Sequence, residues 1–220
     1  MSMSDEELFD LLQQRLYTAV ISDVLDELGY REQVMTADLK AVTGTPAVVG
    51  RARTILAVDY YEPLDEPYGV ELEFVDSLRP GDLVVAGTNQ SIRNGLWGEL
   101  MSTASQCRGA RGAIIDGYVR DVRKIRTMGF PVWATGLKPV DSAGRGKSIA
   151  FDCRILCGGV YVSPGDVVFA DEDGVVVIPS ALTEEVVRKA SVKVAAENST
   201  RSDLLAGVSL SEVFRRRGVL

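Results

Sequence analysis

Short aliphatic runs alternate with helix-like segments through the middle third of the chain, and this alternation constrains the fold more than any other feature. Residues 83–86, 113–115 and 132–134 are runs typical of buried strands, and residues 96–107 and 122–128 between them have helical patterning. Strands that alternate with helices in this way pair in parallel through right-handed crossovers. The sequence therefore predicts an α/β fold.

The segments on either side complete one predicted domain over residues 1–220, because no Ser-, Pro- or Gly-rich linker divides the chain. Leucines and valines at helical spacing predict an N-terminal helix over residues 5–29, capped by Asp5 and ended by Gly29. A C-terminal helical tail is expected over residues 183–217. The remaining expected elements are β-rich runs at 47–49, 54–58, 149–162, 167–170 and 175–178, a short helix at 71–78 and a hairpin turn at 173–174.

The chain of 220 residues contains no histidine, which excludes several catalytic systems. Ser-His-Asp and Cys-His nucleophiles, the HExxH metal helix and imidazole-based zinc sites all require that side chain. Acid–base chemistry here must therefore use carboxylates, Lys, Tyr, Cys or a metal-bound water.

Charge and hydropathy argue against nucleic acid and membrane as partners. The formal net charge is −7, from 24 basic and 31 acidic side chains, and nucleic-acid affinity depends mainly on Lys and Arg. The basic run 215–217 is expected to solvate a helix end rather than to bind phosphates. No apolar run approaches the ~20 residues that cross a bilayer.

Three cysteines, an odd and sparse set, predict reduced thiols in the cytoplasm.

Residues 88–99 form the first candidate site, because they follow a predicted buried strand and precede a predicted helix. Open α/β sheets usually bind ligands at such a point. Gly95 and Gly98 bracket the expected helix start, where glycine lets backbone N–H groups approach a small carboxylate or phosphate. The alternative is that both glycines only permit tight packing of helix against strand.

Residues 114–121 form the second candidate site, at the end of the next predicted strand. Arg120 has the bidentate geometry to hold a substrate carboxylate, and Asp121 offers oxygen to a hard cation such as Mg²⁺ or Mn²⁺. Asp121 could instead only cap the following helix. Because both loops follow consecutive parallel strands, we expect them to face one crevice, with Glu99 bringing a second carboxylate near Asp121.

Glu99, twenty intervening residues and then Arg120-Asp121 resemble the acidic-x20-Arg-Asp motif of the class II 4-hydroxy-4-methyl-2-oxoglutarate/4-carboxy-4-hydroxy-2-oxoadipate aldolases. These are relatives of the regulator of ribonuclease activity A (RraA). The resemblance extends over nearly the whole chain, and in one position the chain departs from the motif, which usually begins with Asp rather than Glu99. The segments that carry it are 22–26, 95–99, 116–121, 164–166, 173–174 and the helix that contains Glu197.

The resemblance implies a swivelling β/β/α-type domain with a central mixed sheet. It also implies a lyase that binds a small 2-oxo acid on a divalent cation, releases pyruvate and decarboxylates oxaloacetate as a side activity. Asp121 would be the direct ligand of Mg²⁺ or Mn²⁺, Glu99 would act through metal-bound water, and Arg120 would bind the substrate. Backbone amides of the segment Gly95, Leu96, Trp97 and Gly98 would complete the substrate site.

The same resemblance implies a homotrimer or homohexamer with sites between subunits. Glu197 could then reach a neighbour's site, or it could be an ordinary surface glutamate. A non-catalytic regulator of a ribonuclease or RNA helicase is the alternative function, and members of that branch lack the acid after the arginine, so Asp121 favours the enzyme. A Schiff base on Lys124 and methyl transfer to a menaquinone precursor are the less favoured alternatives.

Overall fold

A computed structural model describes residues 4–45, 47–63 and 65–218, so the outermost residues of the predicted domain, 1–3 and 219–220, lie outside the described part. The helices are α1 (Asp5–Arg15), α2 (Thr18–Glu27), α3 (Gly69–Asp76), α4 (Glu99–Cys107), α5 (Val122–Met128), α6 (Thr183–Leu205) and α7 (Leu210–Arg217). The strands are β1 (Lys40–Ala41), β2 (Val48–Asp59), β3 (Asp82–Trp97), β4 (Gly112–Val119), β5 (Val132–Leu137), β6 (Gly146–Phe151), β7 (Ile155–Cys157), β8 (Val160–Val162), β9 (Val167–Ala170) and β10 (Val175–Ile178).

Eight strands form a mixed sheet in the order β1-β5-β4-β3-β2-β9-β10, with β6 paired to β2. Strands β2 to β5 are parallel, and for β3, β4 and β5 this confirms the prediction made from the alternating sequence. Strands β9 and β10 form the antiparallel hairpin expected at residues 173–174. The predicted fold class, a mixed sheet with flanking helices and a C-terminal helical tail, is confirmed.

The N-terminal helix predicted over residues 5–29 is wrong in one respect, because the structure divides it into α1 and α2. Tyr17 is extended, and the N–H and hydroxyl of Thr18 both donate to the Asp171 carboxylate, at 2.8 and 2.7 Å. This contact joins residues 153 positions apart and gives α2 its own start. Ser4 rather than Asp5 caps α1, in a capping box with Glu7.

Two strand boundaries also differ from the expectation. The runs 47–49 and 54–58 are not separate strands, because residues 48–59 form one continuous strand, β2. Strand β3 continues to Trp97 instead of ending before residue 88, and it passes through register shifts and left-handed backbone at Asn89 and Gln90. Helix α4 consequently begins at Glu99 and not at residue 96.

Three apolar clusters hold these layers together. Successive residues of β3 serve different clusters: Val84 and Ala86 pack under α3, α4 and α5, whereas Leu83 and Val85 pack with β7 and β8. The alternation of side chains along a strand requires this division. The remaining cluster joins α1, α2 and α6 to β9 and β10. In the described ranges no helix is both long and apolar enough to span a bilayer.

Candidate active site

The loops that follow β3 and β4 meet, as expected for the ends of adjacent parallel strands. The backbone N–H of Arg120 donates to the carbonyl oxygen of Trp97 at 2.9 Å, which ties the start of one loop to the other. This contact sets Arg120 and Asp121 directly beside Gly98 and the first turn of α4. The spatial meeting of the two loops that the sequence predicts is therefore present.

Asp121 lies against the N-terminus of α4. Its Oδ2 accepts a long hydrogen bond of 3.4 Å from the N–H of Glu99, where the helix dipole favours negative charge. Asp121 precedes α5 in left-handed backbone, φ 59°, and its side chain makes no capping hydrogen bond to that helix. The alternative interpretation, that this carboxylate only caps α5, is not supported, because the side chain bonds to the neighbouring helix instead.

The two glycines of the first candidate stretch make different close approaches. A Cβ at Gly98 would lie 2.9 Å from Asp121 Oδ2, so this glycine makes room for the carboxylate. A Cβ at Gly95 would lie 2.5 Å from the carbonyl oxygen of Lys138, and the Gly95 N–H already donates to Val140 at 2.7 Å. Tight packing therefore accounts for Gly95, and its N–H is engaged by the protein.

Arg120 is partly exposed and faces two carboxylates. Its Nε lies 3.8 Å from Asp121 Oδ2, and its NH1 lies 3.5 Å from Asp141 Oδ2. Tyr68 donates its hydroxyl to Asp141 at 2.7 Å. Burial raises the pKa of the Asp141 carboxyl, but the bonds from Tyr68 and the Ala143 N–H, with the Arg120 charge, outweigh burial and hold it below its ordinary value. Asp141 thus stays ionised and orients the guanidinium.

These groups line one cavity of about 330 Å³ between α3 and α4. Of the residues predicted for the site, Leu96, Gly98, Glu99, Arg120 and Asp121 line it. Trp97 is fully buried and donates its indole N–H to Ser102 at 2.8 Å, so it packs in the core and does not line the cavity. The further lining residues are Tyr68, Glu71, Leu72, Val75, Leu100, Met101, Ala104, Asp141 and Ser142.

Glu71 was missed by the sequence analysis, although the sequence contains a signal for it. With Phe74, Val75 and Leu78 it occupies positions i, i+3, i+4 and i+7, so a carboxylate lies on the apolar stripe of α3. Glu71 is 4% exposed. Burial raises its pKa to about 7, against a lowering effect of the hydrogen bond from Ser148. Tyr68 and Asp141 were missed as well, and they have no comparable signal.

A family model described as RraA-like, Aldolase/RraA, matches residues 18–177, which include β2 to β9, most of β10 and all of the cavity. The chain belongs to this RraA-like family. The match confirms the resemblance stated from the spacing of Glu99, Arg120 and Asp121.

Individual RraA-like relatives extend the comparison. A protein from Halalkalibacterium halodurans, provisionally named 4-hydroxy-4-methyl-2-oxoglutarate aldolase, is 31% identical over 194 residues, 87% of this chain and 86% of that protein. Protein DlpA of Legionella pneumophila is 28% identical over 208 residues, and the match spans 92% of this chain but only 33% of DlpA. Streptomyces coelicolor RraAS2, described as an unusual member of the RNase ES inhibitor RraA family, superposes with a TM-score of 0.81 at 30% identity, over 91% of this chain and 100% of RraAS2.

The donor set of this RraA-like cavity fits a hard divalent cation. Glu99 and Asp121 supply carboxylate oxygens, and Mg²⁺ in proteins usually binds one or two carboxylates and keeps several waters. Glu99 Oε1 accepts from the Thr103 hydroxyl at 3.1 Å. Within residues 4–45, 47–63 and 65–218, no three Asp, Glu or Cys side chains come close enough together to hold a metal ion. A cation here would therefore keep most of its water shell.

Two candidate residues lie away from the cavity lining. Glu197 on α6 accepts a hydrogen bond from the Tyr17 hydroxyl at the start of α2, and burial together with this bond raises the pKa of Tyr17 to about 12. Glu197 is thus half-buried and bonded to its own chain rather than free on the surface. Lys124 is exposed on α5, as expected for a residue that solvates the outer face of that helix.

Proposed function

We propose that this protein is a divalent-metal-dependent class II aldolase. Its substrate would be a 4-hydroxy-2-oxo acid such as 4-hydroxy-4-methyl-2-oxoglutarate, its product pyruvate, and oxaloacetate decarboxylation a side activity. The observation that carries the proposal is the meeting of Arg120, Asp121 and Glu99 in one cavity at the ends of β3 and β4. The aldolase name of the H. halodurans relative supports a lyase at the level of the family.

In this proposal Arg120 binds the carboxylate at the 2-oxo end of the substrate. Asp141 and Tyr68 fix the guanidinium from one side, which reduces the freedom that the arginine would otherwise lose on binding. Asp121 would be the direct ligand of Mg²⁺ or Mn²⁺, and Glu99 would hold a water of its shell. The cation, when bound, supplies Lewis-acid stabilisation of the negative charge that develops as the C–C bond breaks.

The apolar part of the cavity would hold the rest of the substrate and exclude water. Val75, Leu96 and Met101 line this part, beneath a rim that includes Leu72 and Leu100. Charge interactions are stronger where water is excluded, so the guanidinium would stabilise the developing enolate more than at an open surface.

A homotrimer or homohexamer in the cytoplasm completes the proposal. Leu72 and Leu100 at the rim are 63% and 78% exposed in the single chain, and large apolar side chains beside a site are typical of contact surfaces. A neighbouring subunit would cover them, and its Glu197 would approach the cavity from outside.

The second candidate function is non-catalytic regulation of a ribonuclease or RNA helicase. It is favoured by the similarity to RraAS2, which its description assigns to a family of RNase ES inhibitors. The two functions differ in what Asp121 does: it is essential to the aldolase and has no chemical task in a regulator.

A pyruvate-release assay on a panel of 4-hydroxy-2-oxo acids and oxaloacetate, with Mg²⁺, Mn²⁺ or EDTA, tests the proposal. Activity should require metal and should be lost in Asp121→Asn, which keeps an oxygen acceptor for the Glu99 N–H but removes the charge. Asp26→Asn, on an exposed position of α2, is the matched control. Pyruvate release that ignores EDTA and survives Asp121→Asn would refute the metal site, and no release from any substrate would favour the regulator.

Arg120→Ala tests the binding role separately. We expect a large loss in kcat/KM, because the substrate carboxylate loses its bidentate partner. Arg123→Ala, at an exposed position on α5, should be as active as the wild type. Equal values of kcat/KM for the two variants would show that Arg120 serves only the structure.

A further inference from the structure

We propose that Glu71 is the catalytic proton carrier of this site, which takes the proton from the C4 hydroxyl of the substrate and returns it to C3 of the enolate. The inference rests on the proposed function and deepens it, since the metal and Arg120 stabilise charge but neither is assigned the movement of a proton. The chain has no histidine for that task.

Glu71 belongs to the wall of the cavity. It lines the cavity together with Arg120 and Asp121, yet its side chain is 4% exposed, so it is held in the wall rather than at the rim. The Ser148 hydroxyl on β6 donates to Oε1 at 3.1 Å. In the part of the chain that the structure describes, this is the side chain's only hydrogen bond, which leaves Oε2 available to a ligand in the cavity.

The surroundings of Glu71 determine its protonation state. Burial is the largest influence and raises the pKa of Glu71 to about 7; Ser148 and the Arg120 guanidinium lower it, and the Asp141 carboxylate raises it. Glu99, from α4, and Asp121, from the loop before α5, line the same cavity, and Tyr68, the residue before α3, is bonded to Asp141. Near neutral pH, Glu71 therefore populates both the ionised and the protonated state, as a group that alternately accepts and donates a proton must.

Other acids of the cavity are already engaged. Asp141 accepts from Tyr68 and faces Arg120, and its lowered pKa makes it a poor proton donor. Asp121 lies at the positive end of α4 beside the guanidinium. Glu71 is thus an acid whose burial favours the neutral form, whereas Asp141 in the same cavity is held ionised.

The proton balance closes within one turnover. The Glu71 carboxylate accepts the C4 hydroxyl proton, the O–H electron pair becomes the new C4=O bond, and the C3–C4 bond breaks with its electron pair moving into the enolate of pyruvate. The carboxylic acid then donates the same proton to C3, and the enolate becomes the methyl group of pyruvate. Glu71 is ionised at the start and at the end, and no other proton donor is consumed.

Oxaloacetate makes a different demand on the same residue. Oxaloacetate has no C4 hydroxyl, so loss of CO₂ yields the enolate without delivering a proton to Glu71. Only an enzyme molecule in which Glu71 is already protonated can then donate the proton to C3. Aldol cleavage should therefore increase as pH rises through about 7, whereas decarboxylation should decrease over the same range.

The test compares Glu71→Gln with Glu73→Gln, an identical change at an exposed position of the same helix. With Mg²⁺ and either 4-hydroxy-4-methyl-2-oxoglutarate or oxaloacetate as substrate, Glu71→Gln should lower kcat by ~10²–10⁴-fold and abolish the pH dependence of both reactions, because an amide carries no transferable proton at these pH values. Glu73→Gln should match the wild type in rate and in profile. Circular dichroism spectra establish that the variants are folded.

Ser148→Ala provides a second measurement that does not alter Glu71 itself. Loss of the hydroxyl donor removes a contact that favours the ionised carboxylate, so the midpoints of both pH profiles should move to higher pH.

A Glu71→Gln variant as active as Glu73→Gln, or midpoints that stay fixed in Ser148→Ala, would overturn the role of Glu71 and leave the aldolase intact. A wild type that releases no pyruvate from any substrate would instead refute the proposed function, and the role of Glu71 with it.

Discussion

Gly98→Ala should damage the site without damaging the fold. The Gly98 backbone is extended, with φ −144° and ψ −171°, a conformation that alanine adopts without strain. The added Cβ, however, would lie 2.9 Å from Asp121 Oδ2 and 3.2 Å from both Cγ and Nε of Arg120. The substitution therefore pushes on the two side chains to which the proposed chemistry is assigned.

The expected losses of stability and activity depend on which atoms the added Cβ displaces. The carboxylate must retreat by roughly 0.5 Å to reach an ordinary contact distance, and it is the end of a side chain that is free to rotate. The stability cost is then mainly that of alanine at the N-cap position of α4, roughly 1 kcal/mol. A cost of this size lowers Tm by about 2–4 °C in a chain of this length. A displacement of about 1 Å at a reacting centre costs ~10²-fold in rate, so a retreat of roughly half that distance should cost on the order of 10-fold.

Thermal unfolding and pyruvate release measured on the same preparation separate the two effects. Gly174→Ala is the control, because a Cβ there has open space and no positive φ to strain the backbone. We expect Gly98→Ala to lose on the order of 10-fold in kcat/KM with a small change in Tm, and Gly174→Ala to change neither quantity. Full activity in Gly98→Ala would refute the claim that the placement of Arg120 and Asp121 decides function.

Two further predictions concern stability. The pKa of Glu71 is about 7 in the folded protein, against 4.5 for an ordinary carboxyl. Its contribution to the free energy of unfolding is therefore fully present below pH 4.5 and is lost as pH rises through about 7. The total loss is on the order of 3 kcal/mol. Urea unfolding of Glu71→Gln should show higher stability than the wild type above pH 7; a difference that does not change with pH would contradict this. Tyr17→Phe removes the hydrogen bond to Glu197 and should cost roughly 0.5–1.5 kcal/mol in the same assay, and an unchanged unfolding free energy would show that the bond does not stabilise the fold.

Elements whose signal is local were predictable. Helix α5 and strands β9 and β10 lie where the pattern places them, because aliphatic runs, helical spacing and the turn at residues 173–174 are read from neighbouring residues. The break between α1 and α2 was not predictable in this way. The break depends on Asp171, the residue that follows β9, which accepts hydrogen bonds from Thr18. The leucine spacing, by contrast, continues through the break.

The candidate site was predictable to the extent that topology determines it. Adjacent parallel strands had to bring the loops at Gly98 and Arg120 together, and the structure has them in contact. The loop before α4 was misjudged because β3 follows β4 through irregular register, with left-handed residues at Asn89 and Gln90 that have no strand signature. Asp141 was missed because a polar loop gives no indication of which carboxylate turns inward.

Binding of Mn²⁺, followed by electron paramagnetic resonance, examines the proposed metal centre without depending on the choice of substrate. We expect one Mn²⁺ per chain in the wild type, loss of binding in Asp121→Asn, weaker binding in Glu99→Gln and unchanged binding in Asp26→Asn. Equal titration curves for all four proteins would contradict a metal centre at the meeting of β3 and β4.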